Sequence, residues 1–296
     1  MKLTPFHILD KSIDWSFRKF GLDLLQTSID KFEIEYWAAD KHLPVLVLCH
    51  AYGPDSKYSW YKQVRKLSKH FRLIIPNLIY FGNSTMAPKS YEVSDQVDAL
   101  ALLLKELKIE QFSIGGTSYG GLVACELALL NEFKIERLFL SNAPIKYVYG
   151  GDWEEMLKLF QVEKRSEVLV PKDYKKLFKL YRISRKKLSL APRFIFRNIH
   201  KNLYVKQAEE RRMLTDTFVE NHDKYSKRDY KFDFPVLLIW GAGDKLSPLE
   251  TGRQLKEHLG ENASLRVMKG TGHMPNIERP FTFMSILLPF LLNNEK

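Results

Sequence analysis

The chain has 296 residues, 45% of them hydrophobic and 27% charged, a globular composition that excludes the disordered, collagen-like and membrane-spanning classes. Its 46 Lys and Arg outnumber its 35 Asp and Glu, and the formal net charge of +11 invites a nucleic-acid or anionic-surface partner. The excess is confined to residues 145–231, where 22 Lys and Arg face 12 Asp and Glu, so the remainder of the chain is close to neutral.

In chain order, residues 1–31 form a leader. From Phe6 to Leu25, apolar residues such as Ile8, Leu9, Ile13, Trp15 and Phe17 alternate with charges, which predicts an amphipathic helix. It is expected to pack on the domain or its lid, with attachment to a membrane surface as the alternative. Asp10, Lys11 and Asp14 interrupt any apolar run, so this is not read as a secretory signal. Strands follow at Phe32–Trp37, Val45–Leu48 and Phe71–Ile75, the last stopped by Pro76. Val97, Leu100, Ala101, Leu104 and Leu107 have helical spacing, then come a strand at Gln111–Ile114, a helix at Tyr119–Leu130 and a strand at Ile135–Leu140. Past the basic stretch lie a strand at Val236–Trp240, a helix at Pro248–Leu259, a strand at Leu265–Met268 and a terminal helix at Pro280–Leu292.

Strands alternating with helices argue for an α/β fold, a mostly parallel central sheet flanked by helices, with ligands at the carboxyl ends of the strands. Residues 145–231 have helical periodicity and no strand runs. They are expected to form an inserted helical cap, or lid, between core segments 32–144 and 232–296. Two cysteines, Cys49 and Cys125, fall inside buried elements without a disulfide framework, which fits a reduced, cytoplasmic setting.

Gly116-Thr117-Ser118-Tyr119-Gly120 fits G-x-S-x-G between an expected strand and an expected helix. Such a turn is so tight that only glycine fits beside the serine, whose hydroxyl is raised at the start of the helix. A neutral hydroxyl needs an imidazole to take its proton and a carboxylate to fix the imidazole. Asp244, in Gly241-Ala242-Gly243-Asp244 after a strand, and His273, in Gly270-Thr271-Gly272-His273 after the next, supply both in the order Ser, Asp, His. His200, His222 and His258 sit in charged helical stretches and are expected to be solvated. Oxyanion donors are expected from the backbone N–H of Tyr119 and of Tyr52, in His50-Ala51-Tyr52-Gly53, with His50 a structural imidazole supporting that loop.

These motifs resemble the α/β-hydrolase superfamily, specifically its capped esterase, lipase and carbon–carbon hydrolase group, from about Phe32 to the C-terminus. Pro76-Asn77-Leu78-Ile79-Tyr80-Phe81-Gly82-Asn83-Ser84 is similar to the family's P-D-x-x-G-x-G-x-S loop, and Gly272-His273-Met274-Pro275-Asn276-Ile277-Glu278-Arg279-Pro280 to its G-H-x-P-x-x-E-x-P segment. The resemblance implies a triad of Ser118, Asp244 and His273 with Tyr52 and Tyr119 as oxyanion amides. It departs at Asn77 for Asp, at Tyr80 for Gly, and at Ala51 for the Gly of the oxyanion H-G motif. If the backbone there needs positive φ, Ala51 would displace one donor.

The leading expectation is a serine hydrolase that cleaves a small-molecule carboxylic ester with an apolar part through an acyl-enzyme. A carbon–carbon bond hydrolase with the same triad is the second reading, and a non-catalytic ligand receptor the third. No cofactor is expected, no metal, because His and Cys lack ligand spacing, and no nucleic acid, because no reading motif accompanies the charge. Apolar residues of the cap, among them Trp153, Leu180 and Phe196, are assigned to docking ahead of an acyl-binding wall. Arg185, Lys186, Lys187, Arg211 and Arg212 are assigned to a solvated outer face, with attraction of anionic lipid head groups or of an acidic substrate as the alternative, and weak peripheral membrane contact is expected only through the basic cap or the N-terminal helix.

Overall fold

The computed structural model describes residues 4–146, 153–186 and 193–293. Helix α1 (Pro5–Lys19) begins where the Thr4 side chain accepts the His7 N–H and Pro5 occupies the first turn, and it closes with Arg18 and Lys19 at its negative end. It is shorter than the periodicity suggests. Gly21, at φ +84°, turns the chain into β1 (Leu22–Ile29), which pairs antiparallel along its whole length with β2 (Phe32–Ala39) across a turn with Asp30 at φ 51°. Only Leu22 of β1 is buried, so an outer edge strand with polar alternation reads like the tail of an amphipathic helix.

The chain continues through β3 (Val45–Cys49), α2 (Ser56–Trp60), α3 (Val64–Leu67), β4 (Arg72–Pro76), the short β5 (Thr85–Met86), α4 (Val93–Glu106), β6 (Gln111–Thr117), α5 (Tyr119–Ala128) and β7 (Lys134–Ser141). Next come α6 (Trp153–Phe160), α7 (Arg165–Leu169), α8 (Tyr174–Ser184), α9 (Arg193–Ile199), a π-helical turn at His200–Tyr204, α10 (Ala208–Glu220) and α11 (His222–Ser226). Strand β8 (Val236–Gly241), α12 (Leu249–Leu259), β9 (Ala263–Met268), α13 (Pro275–Glu278) and α14 (Pro280–Leu291) complete the described fold.

The sheet runs β1-β2-β4-β3-β6-β7-β8-β9, with β5 beside β2. All pairs from β4 to β9 are parallel, whereas β2 meets β1, β4 and β5 antiparallel. Period-two alternation explains the unbroken apolar run of β3: Val47 and Cys49 join one core with Leu100, Leu122 and Leu255, while Leu46 and Leu48 join the other with Phe17, Leu67 and Leu287. Both faces of the sheet are thus covered by helices, and α1 belongs to the second cover, its Phe17 ring 4.8 Å from Trp37. Cys49 and Cys125 are buried free thiols.

Candidate active site

Parallel pairing brings the carboxyl ends of β3, β6, β7, β8 and β9 to one edge, with Cys49 beside Gly116, Thr117 beside Ser141 and Gly241 beside Met268. The residues that follow those ends build the site. Ser118 leaves β6 at φ 53° and ψ −120°, a left-handed conformation outside the usual wells of an L-residue, and opens α5. Its glycine neighbours are sterically required: a Cβ on Gly116 would come within 2.3 Å of Gly120, and one on Gly120 within 2.4 Å of the His50 carbonyl.

His273, on the loop after β9, holds its Nδ1 2.7 Å from Asp244 Oδ2. A carboxylate only accepts there, so Nδ1 carries the proton and Nε2 is left as the acceptor. The second Asp244 oxygen accepts the backbone N–H of Leu246 at 2.8 Å and of Ser247 at 3.0 Å. Asn142, at φ 49° just past β7, donates its amide to Asp244 Oδ2 at 2.5 Å and accepts the Gly241 N–H at 3.2 Å. Sequence reasoning did not single out Asn142, although a polar residue directly after a parallel strand was a sufficient signal. The imidazole loop is also fixed from above, because the His273 N–H donates to Ser184 O of α8 at 2.7 Å.

Ser118 and His273 face a shared cavity of about 410 Å³, together with Ala51, Tyr52 and Tyr119. Among the described residues, neither the Tyr52 nor the Tyr119 backbone N–H donates to another protein group. The Tyr52 hydroxyl is engaged, donating to Arg211 O. His50 is buried, with Nε2 accepting the Leu78 N–H at 3.0 Å and Nδ1 donating to Ala51 O at 2.9 Å. Burial pushes its pKa down to about 4, which keeps the ring neutral in this role. Ala51 does not adopt positive φ, so its methyl group imposes no left-handed strain on the loop.

The other two departures are accommodated differently. Tyr80 does sit at φ 73°, where glycine would be relaxed, and its hydroxyl donates to Ser90 O at 2.6 Å. Asn77 donates to Glu35 Oε2 at 2.5 Å and accepts the Ser56 N–H at 2.8 Å, so an aspartate would meet a buried carboxylate head on.

Three expectations are corrected. Arg211 and Arg212 are 2% and 9% exposed, not solvated. Arg211 donates to the carbonyls of Gly53 at 2.8 Å, Tyr204 at 2.9 Å and Lys206 at 2.8 Å, and Arg212 to Val170 O at 3.0 Å, so both act as carbonyl clamps. Arg185 is half-buried and lines the cavity, whereas Lys186 is exposed and Lys187 lies outside the described residues. His200, His222 and His258 are half-buried; His200 bonds Pro171 O at 2.9 Å and His258 accepts the Tyr230 N–H at 3.2 Å. Apolar residues assigned to docking do two jobs: Leu180 and Phe196 pack in the clusters of the insertion and also face the cavity.

The family model described as the alpha/beta hydrolase fold matches residues 44–280. The chain belongs to the α/β-hydrolase family. Among curated relatives, it is 25% identical over 251 residues to a pimeloyl-[acyl-carrier protein] methyl ester esterase of Pseudoalteromonas atlantica, covering 83% of this chain and 93% of the relative. It is 26% identical over 260 residues to a 2-hydroxymuconate semialdehyde hydrolase of Pseudomonas sp. strain CF600, covering 83% and 86%. A crystal structure of a lipase candidate from Acinetobacter baumannii AYE superposes with a TM-score of 0.85 at 20% identity, covering 99% of this chain and 97% of the other. That likeness extends the shared fold through the N-terminal helix. Relatives of this chain thus include both a methyl ester esterase and a semialdehyde hydrolase. Among the described residues, no helix is long and apolar enough to cross a membrane.

Proposed function

We propose that the protein is a serine hydrolase acting on a carboxylic ester with an apolar moiety. The observation that carries this is the His273–Asp244 pair, 2.7 Å apart, opening with the strained Ser118 into a largely apolar cavity. Ser118 Oγ attacks the ester carbonyl while His273 Nε2 takes its proton. The tetrahedral oxyanion is held by the N–H groups of Tyr52 and Tyr119. Collapse breaks the bond to the alkoxy group, which leaves with the proton from His273, and the acyl group stays on Ser118. Water then adds with His273 as base and releases the acid. Asp244 keeps the imidazole in the productive tautomer throughout.

The described residues between 145 and 231 act as a cap that, with α1, roofs the cavity. Phe6, Leu9 and Ile13 of α1 share the lining with Trp153, Leu180 and Phe196 of the insertion, which favours an aliphatic or aromatic chain of the substrate. The buried free thiols fit a reduced, cytoplasmic setting.

An alkyl or aryl fluorophosphonate probe tests the reading. Stoichiometric labelling that vanishes in Ser118→Ala, with hydrolysis of 4-nitrophenyl acyl esters, is the expected result. A folded wild-type protein that takes up no label would overturn it. Turnover of a vinylogous diketone well above ester turnover would instead favour carbon–carbon cleavage.

A further inference from the structure

Resting on the ester-hydrolase reading, we infer that Arg185 is a carboxylate-binding subsite within the same cavity, and that the substrate is an ester carrying a carboxylate at the end remote from the scissile bond. Arg185 follows Ser184, the last residue of α8, and faces the cavity shared by Ser118 and His273. Its position is fixed relative to the chemistry. The His273 N–H is bonded to Ser184 O at 2.7 Å, and a Cβ on Gly272 would lie 3.2 Å from Arg185 Cα. Glu278 completes the tether, accepting the Gly272 N–H and the Lys186 N–H, each at 2.8 Å.

The guanidinium itself is held but not satisfied. It lies 4.5 Å from the centre of the Tyr181 ring, another cavity residue, while its Nε is buried without a hydrogen-bond partner. Among the described residues Arg185 forms no ion pair within 4.0 Å, in contrast to Arg212, which faces Glu209, and Arg228, which faces Glu126. The near carboxylate, Glu278, accepts the two backbone N–H groups of Gly272 and Lys186 and forms no ion pair with Arg185 within 4.0 Å. Lys62, the neighbouring cation, donates to Ile277 O at 2.7 Å, and its pKa falls through burial and the charge of Arg185, so the local field is positive.

An arginine stacked on an aromatic ring presents a planar fork, and an uncompensated one in an apolar cavity lacks an anion. A buried donor without a partner is costly, and a ligand carboxylate removes that cost. One free guanidinium matches a monoanionic carboxylate. A phosphate monoester dianion would call for a second cation, and Lys62, the neighbouring one, does not line the cavity.

The test compares 4-nitrophenyl octanoate with the mono-4-nitrophenyl ester of octanedioic acid, in a series of chain lengths, with 4-nitrophenyl esters of ω-phosphonooxy acids as a separate arm. In wild type, kcat/KM is expected to favour the ω-carboxy ester at least tenfold at one chain length. Arg185→Gln is expected to reduce that preference at least tenfold, chiefly through KM, with partial recovery in Arg185→Lys. The second readout needs no turnover. In Ser118→Ala, calorimetry should give tighter binding of monomethyl octanedioate than of methyl octanoate, and the difference should disappear in Ser118→Ala/Arg185→Gln. Equal handling of the charged and neutral esters, preference for the phosphate arm, or an unchanged preference in Arg185→Gln would overturn the subsite. Failure of all esters, with carboxylate-dependent binding retained, would instead count against the ester-hydrolase reading alone.

Discussion

Asn142 donates its side-chain amide to Asp244 Oδ2, the same oxygen that holds the ring of His273. With the two backbone donors on Oδ1, the carboxylate is bonded through both oxygens and is left one geometry in which to orient the imidazole. Asn142→Ala is therefore expected to lower kcat about tenfold with little change in KM, while leaving phosphonate labelling slow but present. Asn142→Asp should be more damaging at neutral pH, because it sets a second carboxylate against Asp244. Stopped-flow acylation rates across pH 5–9 check both; a kcat equal to wild type in both variants would rule this role out.

The Asn77–Glu35 contact makes a stability prediction. Restoring the family's aspartate, Asn77→Asp, removes a donor and adds a like charge, and should destabilise the fold by about 1–3 kcal/mol at pH 8. The pair would hold a proton more tightly folded than unfolded, so the loss should shrink as pH falls toward 5. Urea denaturation of Asn77→Asp and of Asn77→Asp/Glu35→Gln measures it, and the double variant should recover most of the loss.

Asp55 precedes α2 with Oδ1 buried and unpartnered. Burial is the main cause that pushes its pKa up to about 7; Glu35, Asp10 and Asp14 add to this and Lys57 opposes it. A carboxyl whose folded pKa is raised binds its proton better in the native state, so its contribution to stability is greatest at acid pH and falls as pH rises from about 4 to 7. The full span is on the order of 2–4 kcal/mol. Asp55→Asn should flatten this part of the stability profile, read from denaturation midpoints at several pH values.

Helix α1 predicts a change in substrate range. Lys57 bridges Asp10 and Asp14 at 2.7 Å each, and the Tyr58 hydroxyl donates to Asp10, which pins the helix so that Leu9 reaches the cavity. Leu9→Trp is expected to shift the acyl-length optimum shorter by two or more carbons, and Leu9→Ala to broaden it. A 4-nitrophenyl ester series reads the optimum; an unaltered profile in both variants would remove α1 from the substrate wall.

The parts of the molecule legible in the sequence are those where one physical constraint dominates. The elbow at Ser118 is written in glycines because its close approaches admit no side chain, and β3 and β8 are written in apolar runs because both faces of the sheet are covered. Strand β1 was missed because an edge strand with one buried residue shares its alternation with an amphipathic helix. Arg211 and Arg212 were misplaced because sequence shows charge but not the backbone carbonyls of Gly53, Tyr204, Lys206 and Val170 that neutralise the cost of burying it. Ala51 looked like a weakness of the motif, and free of positive φ it is not one; Asn77, a departure in a supporting segment, is matched by its partner Glu35.

The wall that α1 contributes also constrains how the protein acquires its site. Phe6, Leu9 and Ile13 leave the ribosome long before His273, Met274 and Ile277, which line the same cavity. Phe6 and Phe17 can already pack on Tyr58 and Trp37, but the cavity can close around Leu9 only once the loop that carries His273 has been made. Contacts of such long sequence separation form late and slowly.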